Sequence, residues 1–226
     1  MFTALGSYTV TKMARAWGGL AAALVSAAQA ADIRATVMDE QGRPVPDAVV
    51  VAVPLGAAAR APARAKLEQV EQIDLEFVPR VKAIQVGSAL SFPNRDNVRH
   101  HVYSFSTAKR FELPLYAGTP SQPVTFDTPG VVTIGCNIHD WMVGYIYVSE
   151  SPHLAISAAD GVAVIAGAPA GRYAVRVWHP RLAAAEEATR QQADVGTRDL
   201  ALEWRLSLKP EIRVRRAPSS GRDGRY

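Results

Sequence analysis

One short segment carries the residue types on which the chemistry of this chain depends. Cys136, His139 and Met142 recur at every third position, and His100 lies upstream, six residues after Asn94. One thiolate and two imidazoles form the strong trigonal plane of a mononuclear copper site, and a thioether adds the weak axial contact of an electron-transfer copper. Cys136 is the single cysteine of the sequence. It has no partner for an internal disulfide, and copper ligation would explain the lone thiol.

Two adjacent histidines compete for the upstream ligand position. Successive side chains of a β-strand point to opposite faces. Only one of His100 and His101 can therefore reach a copper ion bound to Cys136. The strand argument alone leaves both choices open.

Short apolar and β-branched runs dominate the chain after Ala31, and Gly, Pro, Asn and Asp separate them. This pattern is typical of an all-β sandwich. Ala, Pro and Arg predominate between Leu55 and Lys66, which indicates a linker or a long loop. The segment from Leu182 to Ala193 is rich in Ala, Glu, Gln and Arg. That composition favours a helix, although the strands on both sides leave an edge strand open.

Residues 1–30 have the features of a secretory signal peptide. Lys12 and Arg15 precede an apolar stretch, and Ala28-Gln29-Ala30 is a small-residue cleavage site. We therefore expect cleavage before Ala31 and export to the periplasm.

The same segment allows two other interpretations. Its apolar stretch is shorter than the about 20 residues of a membrane-spanning helix, so we expect no stable membrane insertion. The alternative is that the segment is retained as a membrane anchor. Met13 would make a more ordinary start, in which case residues 1–12 come from an upstream start site.

The charge distribution argues against a nucleic-acid partner. The net charge is +4, but the basic excess lies in Lys12, Arg15 and the segment from Lys209 to Tyr226. The rest of the chain is slightly acidic and offers no basic face. The Pro, Ser, Gly and Arg of residues 210–226 predict a basic disordered tail.

Residues from about Gln69 to Val148 resemble the cupredoxins, and among them amicyanin and plastocyanin most closely. The two residues on each side of His139, between Cys136 and Met142, match the short amicyanin loop. The other matching motifs are Phe77-Val-Pro79, Val86-Gly87, Phe92-Pro-Asn94, His100-His-Val102 and Gly135 to Met142.

The resemblance implies a type 1 copper site with one copper ion that cycles between Cu(I) and Cu(II). In the amicyanin-like pattern Asn-x5-His-x-Val, His100 is the ligand and His101 takes a position usually held by Asn, beside the metal site. His139 would lie at the solvent edge and serve as ligand and electron exit. Asn94 would tie the two ligand loops together and support the cysteine sulfur, a role that tunes the metal.

The resemblance also implies partners. Proteins with this loop are often labelled methylamine utilisation or plastocyanin-like proteins. They exchange electrons with other proteins, here a cytochrome c or a quinoprotein such as an amine dehydrogenase.

Two loop residues depart from the pattern or add to it. Asp140 stands where amicyanins tend to have proline, and its negative charge beside His139 should favour Cu(II) and lower the reduction potential. Trp141 offers a large apolar surface near the exit, either for docking a partner or for packing the loop.

A second resemblance flanks the first. The segment from Val37 to Val49, with Asp39-Glu-Gln-Gly42, looks like the opening of a carboxypeptidase-regulatory-like sandwich, and the segment from Asp160 to Val175 looks like its later hairpin. We therefore predict a Greek-key cupredoxin sandwich inserted into a second small β-sandwich, because insertions belong at exposed loops. One enlarged cupredoxin is the alternative.

The predicted divisions are a signal peptide at 1–30, first flanking strands at 31–56, a linker at 57–68, the copper domain at 69–149, the rest of the flanking sandwich at 150–209 and the tail at 210–226.

These features predict an exported type 1 copper protein that carries single electrons between proteins. Copper delivery or storage with the same ligands, and an interaction module on a cupredoxin scaffold, remain alternatives. The five histidines of the chain are too few for a further trinuclear cluster, so we expect no oxidase or other enzymatic activity.

Overall fold

The computed structural model describes residues 30–56, 66–120 and 122–211, and this part of the chain is all-β apart from one short 3₁₀ helix at Glu186–Thr189. The strands of the described ranges are β1 Ala30–Asp39, β2 Val49–Pro54, β3 Leu67–Gln69, β4 Glu71–Ile73, β5 Glu76–Val78, β6 Val81–Gln85, β7 Ala89–Ser91, β8 His100–Ser106, β9 Lys109–Tyr116, β10 Val124–Thr125, β11 Gly130–Cys136, β12 His139–Ser149, β13 Leu154–Ile156, β14 Val162–Pro169, β15 Gly171–Trp178, β16 Gln191–Val195 and β17 Leu200–Leu206.

The first and last parts of the chain build one sandwich. One sheet has the order β14-β1-β17 and the other β13-β2-β15-β16. Along β1, Ile33, Ala35 and Val37 are buried while Arg34 and Thr36 face outward, the alternation of a strand with one face in a core. We call this unit the flanking sandwich. Its core includes Ile33, Val37, Tyr173, Val175 and Trp204.

The middle of the chain builds the sandwich that carries the predicted copper ligands. A five-stranded sheet of order β6-β12-β11-β8-β9 faces a three-stranded sheet of order β10-β7-β3, and β4 and β5 form a separate hairpin. We call this unit the central sandwich. Cys136 and Met142 belong to its core, together with Leu90, Phe92, Phe126, Ile134 and Ile146.

A third buried cluster joins the two sandwiches. Val49 and Val51 of β2 pack against Val81 and Tyr147 of the central sandwich. The Tyr147 hydroxyl also donates to a carboxylate oxygen of Glu186 at 2.5 Å. The outer face of β6 and β12 is therefore covered by the flanking sandwich.

The predicted fold class is confirmed, since the described chain is all-β with one β-sandwich and a second one formed by the flanking segments. The segment from Leu182 to Ala193 holds the 3₁₀ helix and the beginning of edge strand β16, so the helix interpretation is wrong beyond one turn. The start of β3 at Leu67 lies inside the predicted linker 57–68. The domain boundaries otherwise stay predictions.

The predicted signal peptide, up to residue 29, and the tail from residue 212 lie outside the described residues, as do residues 57–65 of the linker. Among the described residues, no helix has the length and apolar character that a membrane span requires.

Candidate metal centre

Strand ends bring three of the predicted ligands together. His100 begins β8, Cys136 ends β11 and His139 begins β12. Cys136 pairs with His139 on one side and with Val102 on the other. The register shifts between Gly135 and Cys136, and such an irregularity re-aims side chains at the end of a ladder.

The three donor atoms lie at distances that suit one metal ion. The Nδ1 atoms of His100 and His139 lie 3.8 Å and 3.6 Å from Cys136 Sγ, and the donor atoms of all three residues lie within 4.8 Å of one another. Bonds of about 2.3 Å to sulfur and 2.0 Å to nitrogen, as zinc makes, would separate S and N by about 3.7 Å in a trigonal plane. The donor set therefore fits a copper ion, and among the described residues these three side chains form a group that could hold a metal ion.

Met142 lies in the same buried region. Its side chain is 1% exposed and belongs to the core cluster that contains Cys136. Its neighbour Val143 pairs with Gly135 on β11, which places it close to the end of the sheet where Cys136 lies. The axial role of Met142 stays a prediction.

The structure brings His100, and not His101, to Cys136. His100 is completely buried, whereas the His101 ring turns to the other face of β8, with Nε2 3.0 Å from Glu112 Oε1 and its edge against Tyr103. The backbone N–H of His101 instead donates to the Cys136 sulfur. His101 therefore contributes to the site through its backbone.

Asn94 has other partners than the resemblance implies. Its side-chain Nδ2 donates to the carbonyls of Val98 at 2.8 Å and Tyr116 at 3.1 Å, and its Oδ1 accepts from the Asp96 N–H. These bonds shape the loop before His100. The backbone N–H groups of His101 and Ile138 donate to the sulfur, and the support of the sulfur by Asn94 stays a prediction.

Asp96 is a site residue that sequence reasoning missed. One of its carboxylate oxygens lies 2.7 Å from Nε2 of His100, four residues further on. The segment Pro93 to Asp96 has the composition of a turn, which hides this contact. The signal available in the sequence was an acidic residue four positions before a candidate ligand.

Charges and hydrogen bonds prepare the sulfur for ligation. Burial by itself raises the pKa of the Cys136 thiol, but the hydrogen bond with His100 and the two backbone donors bring that pKa below its ordinary value. Burial lowers the pKa of His100, and its hydrogen bonds with Cys136 and Asp96 raise it overall. The environment thus favours a thiolate, the form that binds metal.

The loop residues at the solvent edge differ in exposure. Ile138 is 49% exposed and Asp140 is exposed, while His139 and Trp141 are half-buried. The Trp141 ring lies 5.3 Å from the His139 ring and packs against the core of the central sandwich. Its packing role is therefore visible, and its docking role stays a prediction.

Comparisons with known proteins find partial similarities to solved structures. No family model matches the chain, and no curated protein matches it. A copper-containing nitrite reductase from Thermus scotoductus is 27% identical over 43% of this chain, which spans 25% of that protein, with a TM-score of 0.35.

Two further solved structures are matched over nearly their whole length. A purple cupredoxin from Nitrosopumilus maritimus is 25% identical over 36% of this chain and 98% of its own, with a TM-score of 0.33. The oxidised state of an amicyanin point mutant is 19% identical over 44% of this chain and 98% of its own, with a TM-score of 0.32.

Proposed function

We propose that the protein is a type 1 copper protein that carries single electrons between redox partners. One copper ion would be held by His100, Cys136 and His139, with Met142 as the axial ligand. The observation that supports this most strongly is the convergence of one sulfur and two imidazole nitrogens within 4.8 Å at one end of a sandwich. When bound, copper supplies a one-electron change between Cu(I) and Cu(II).

The burial of the predicted ligands suits electron transfer. His100, Cys136 and Met142 are each at most 4% exposed, so they exclude water and hold their positions whether or not an electron is present. His139 is half-buried beside exposed Ile138, and it would be the edge through which an electron enters and leaves. No proton or substrate has to enter such a site.

Copper delivery or storage is the competing function of the same ligands. A delivery site must release its ion to another protein. The burial of three of the four predicted ligands favours retention, and hence a carrier.

The proposed location is the periplasm, supported by the signal-like composition of residues 1–30. The proposed partners are a cytochrome c or a quinoprotein dehydrogenase. Their contact surface would be the loop around His139, since Ile138 there is exposed and apolar.

Copper loading and voltammetry test the proposal. We expect the copper-free protein to bind one copper ion per chain and to show a reversible one-electron couple. We also expect Cu(I) to remain bound when a moderate chelator is added. An irreversible couple, together with ready loss of Cu(I) to the chelator, would support delivery instead.

A further inference from the structure

Asp96 connects His100 to the turn of the β4–β5 hairpin. Its Oδ1 accepts from the N–H of Asp74 at 2.7 Å, and its Oδ2 accepts from the N–H of Leu75 at 3.0 Å. The same Oδ2 lies 2.7 Å from Nε2 of His100. One carboxylate therefore joins a hairpin turn to the second ring nitrogen of a predicted copper ligand.

The turn has an unusual backbone. Asp74 and Leu75 have φ angles of 54° and 61°, in the left-handed region that non-glycine residues rarely adopt. Strain of this kind persists only where the surroundings impose it, and it is concentrated at functional sites. In this conformation both N–H groups point at the Asp96 carboxylate.

The hairpin is also fixed to the loop that carries Asp96. The Gln72 N–H donates to the Pro93 carbonyl at 2.9 Å, and the Arg95 N–H donates to the Gln72 carbonyl at 2.9 Å. Arg95 and Glu71 form an ion pair at 2.8 Å. Asp96 is therefore held between two connected segments and has little freedom to move.

This arrangement leaves the His100 ring one orientation. Nε2 is engaged by Asp96, and Nδ1 faces Cys136 Sγ at 3.8 Å. The ring is completely buried, so no water competes for either nitrogen. A hydrogen bond from the second nitrogen of a metal-binding histidine to a carboxylate fixes the ring and strengthens it as a donor.

We propose that Asp96, clamped by the β4–β5 turn, is a positioning residue that orients His100 and favours the oxidised ion. This inference rests on the proposed copper site. A purely structural Asp96 would hold the hairpin in place and leave the metal's properties unchanged.

The test compares Asp96→Asn with Asp39→Asn in the copper-loaded protein. Asp39 is a matched control, because its Oδ1 also accepts two backbone N–H groups, from Gln41 and Arg43, in a turn of the flanking sandwich. The asparagine at position 96 has one neutral oxygen in place of two charged ones, and the two N–H groups of the turn compete with Nε2 for it. We expect Asp96→Asn to weaken Cu(II) binding by about 10- to 100-fold and Cu(I) binding by less.

The reduction potential follows from these two affinities. Each tenfold excess loss of Cu(II) affinity over Cu(I) affinity raises the potential by about 59 mV. Asp39→Asn should change neither affinity nor potential. Leu75→Gly keeps both backbone donors and relieves the turn, so it should keep the wild-type potential. Equal potentials in Asp96→Asn and wild type would overturn the inference.

A copper-free measurement separates this inference from the proposed function. In wild type and in Asp39→Asn, the Nε2 proton of His100 should give a slowly exchanging resonance in ¹⁵N-resolved NMR spectra, and Asp96→Asn should lose it. A wild-type protein that binds no copper but shows this resonance would contradict the proposed function only. A copper-binding protein in which Asp96→Asn retains the resonance and the potential would contradict the inference only.

Discussion

At the scale of single residues, the side chains of the adjacent His100 and His101 point to opposite faces of β8. His100 points into the core toward Cys136, while His101 points out toward Glu112 and gives only its backbone N–H to the sulfur. The alternation of a strand explains this division. Any substitution that keeps the backbone at position 101 should therefore keep the site.

This division predicts the effects of two alanine substitutions. His100→Ala should abolish the intense visible band of the Cu(II) protein or move it strongly, because one strong ligand is lost. His101→Ala should keep the band, since the N–H donor remains. Visible and EPR spectra of both variants check this. The reverse result would make His101 the ligand.

The charge of Asp140 predicts a small shift in reduction potential. Asp140 is exposed and follows His139 directly. A unit charge about 8 Å from the copper ion in a water-like medium changes the electrostatic energy of the ion by about 0.5 kcal/mol. Asp140→Asn should therefore raise the reduction potential by on the order of 20 mV. High salt should shrink this difference.

Voltammetry at low and high ionic strength measures the shift. Asp127→Asn is the control, because Asp127 is exposed and lies just before Gly130, at the opposite end of β11 from Cys136. A potential lowered by Asp140→Asn would contradict the electrostatic argument.

At the scale of elements, some features could be predicted from the sequence and others could not. Cys136, His139 and Met142 lie in one short loop, so their spacing alone indicates a common site. The Asp96 contact depends on a turn 22 residues away in the sequence, and its strained backbone has no glycine to mark it. Such a contact depends on the fold and leaves no local pattern.

A buried histidine directly after β15 predicts acid sensitivity. His179 is 8% exposed, and its Nδ1 accepts from the Arg181 N–H. Burial, with a smaller effect of Arg181 and Arg80, lowers the pKa of His179 to about 4. The unfolded chain, with a pKa near 6.5, binds more protons between these values. The contribution of neutral, buried His179 to the free energy of unfolding is therefore complete above pH 6.5.

As the pH falls from 6.5 to 4, this contribution should decrease by about 3 kcal/mol. Urea unfolding of the copper-free protein at several pH values measures the slope. In His179→Gln the free energy of unfolding should depend less on pH in this window. An unchanged slope would show that other groups cause the acid sensitivity.

The buried cluster that joins the two sandwiches contains Tyr147. Its substitution should change the stability of the protein and leave the metal site unchanged. Tyr147 is 3% exposed, and its hydroxyl donates to Glu186, which also pairs with Arg176 at 2.6 Å. Burial, and then Glu186, raise the pKa of Tyr147, so it stays neutral. Tyr147→Phe should lower the free energy of unfolding by about 1–2 kcal/mol.

Denaturant unfolding measures this loss, and the visible spectrum of the copper protein is the control. The spectrum should be unchanged, because Tyr147 lies on β12 eight residues beyond His139. A shifted spectrum would mean that the joint and the site are coupled.

At the scale of the whole molecule, the flanking sandwich covers a sheet face and leaves the ligand end open. The run Val49 to Val53 is apolar at every position, and Val49 to Ala52 are completely or almost completely buried. Val50 and Ala52 face their own core, while Val49 and Val51 face the central sandwich. A run without alternation is typical of a strand buried on both faces. The sequence therefore indicates that both faces of β2 are buried, but it does not indicate which surface covers the second face.

The open end is consistent with the proposed exchange of electrons between proteins. Ile138 is exposed there, and the flanking sandwich packs along β6 and β12 instead. The second sandwich can therefore stabilise the fold without blocking the loop.

Visible absorption of the Cu(II)-loaded protein tests the central claim most directly. A thiolate bound to Cu(II) in a trigonal site gives an intense visible charge-transfer band, which neither imidazole nor thioether ligands supply. We predict this band at one copper ion per chain, and we predict that Cys136→Ser removes it while the protein stays folded. A colourless wild-type copper complex, or a band that persists in Cys136→Ser, would contradict the account.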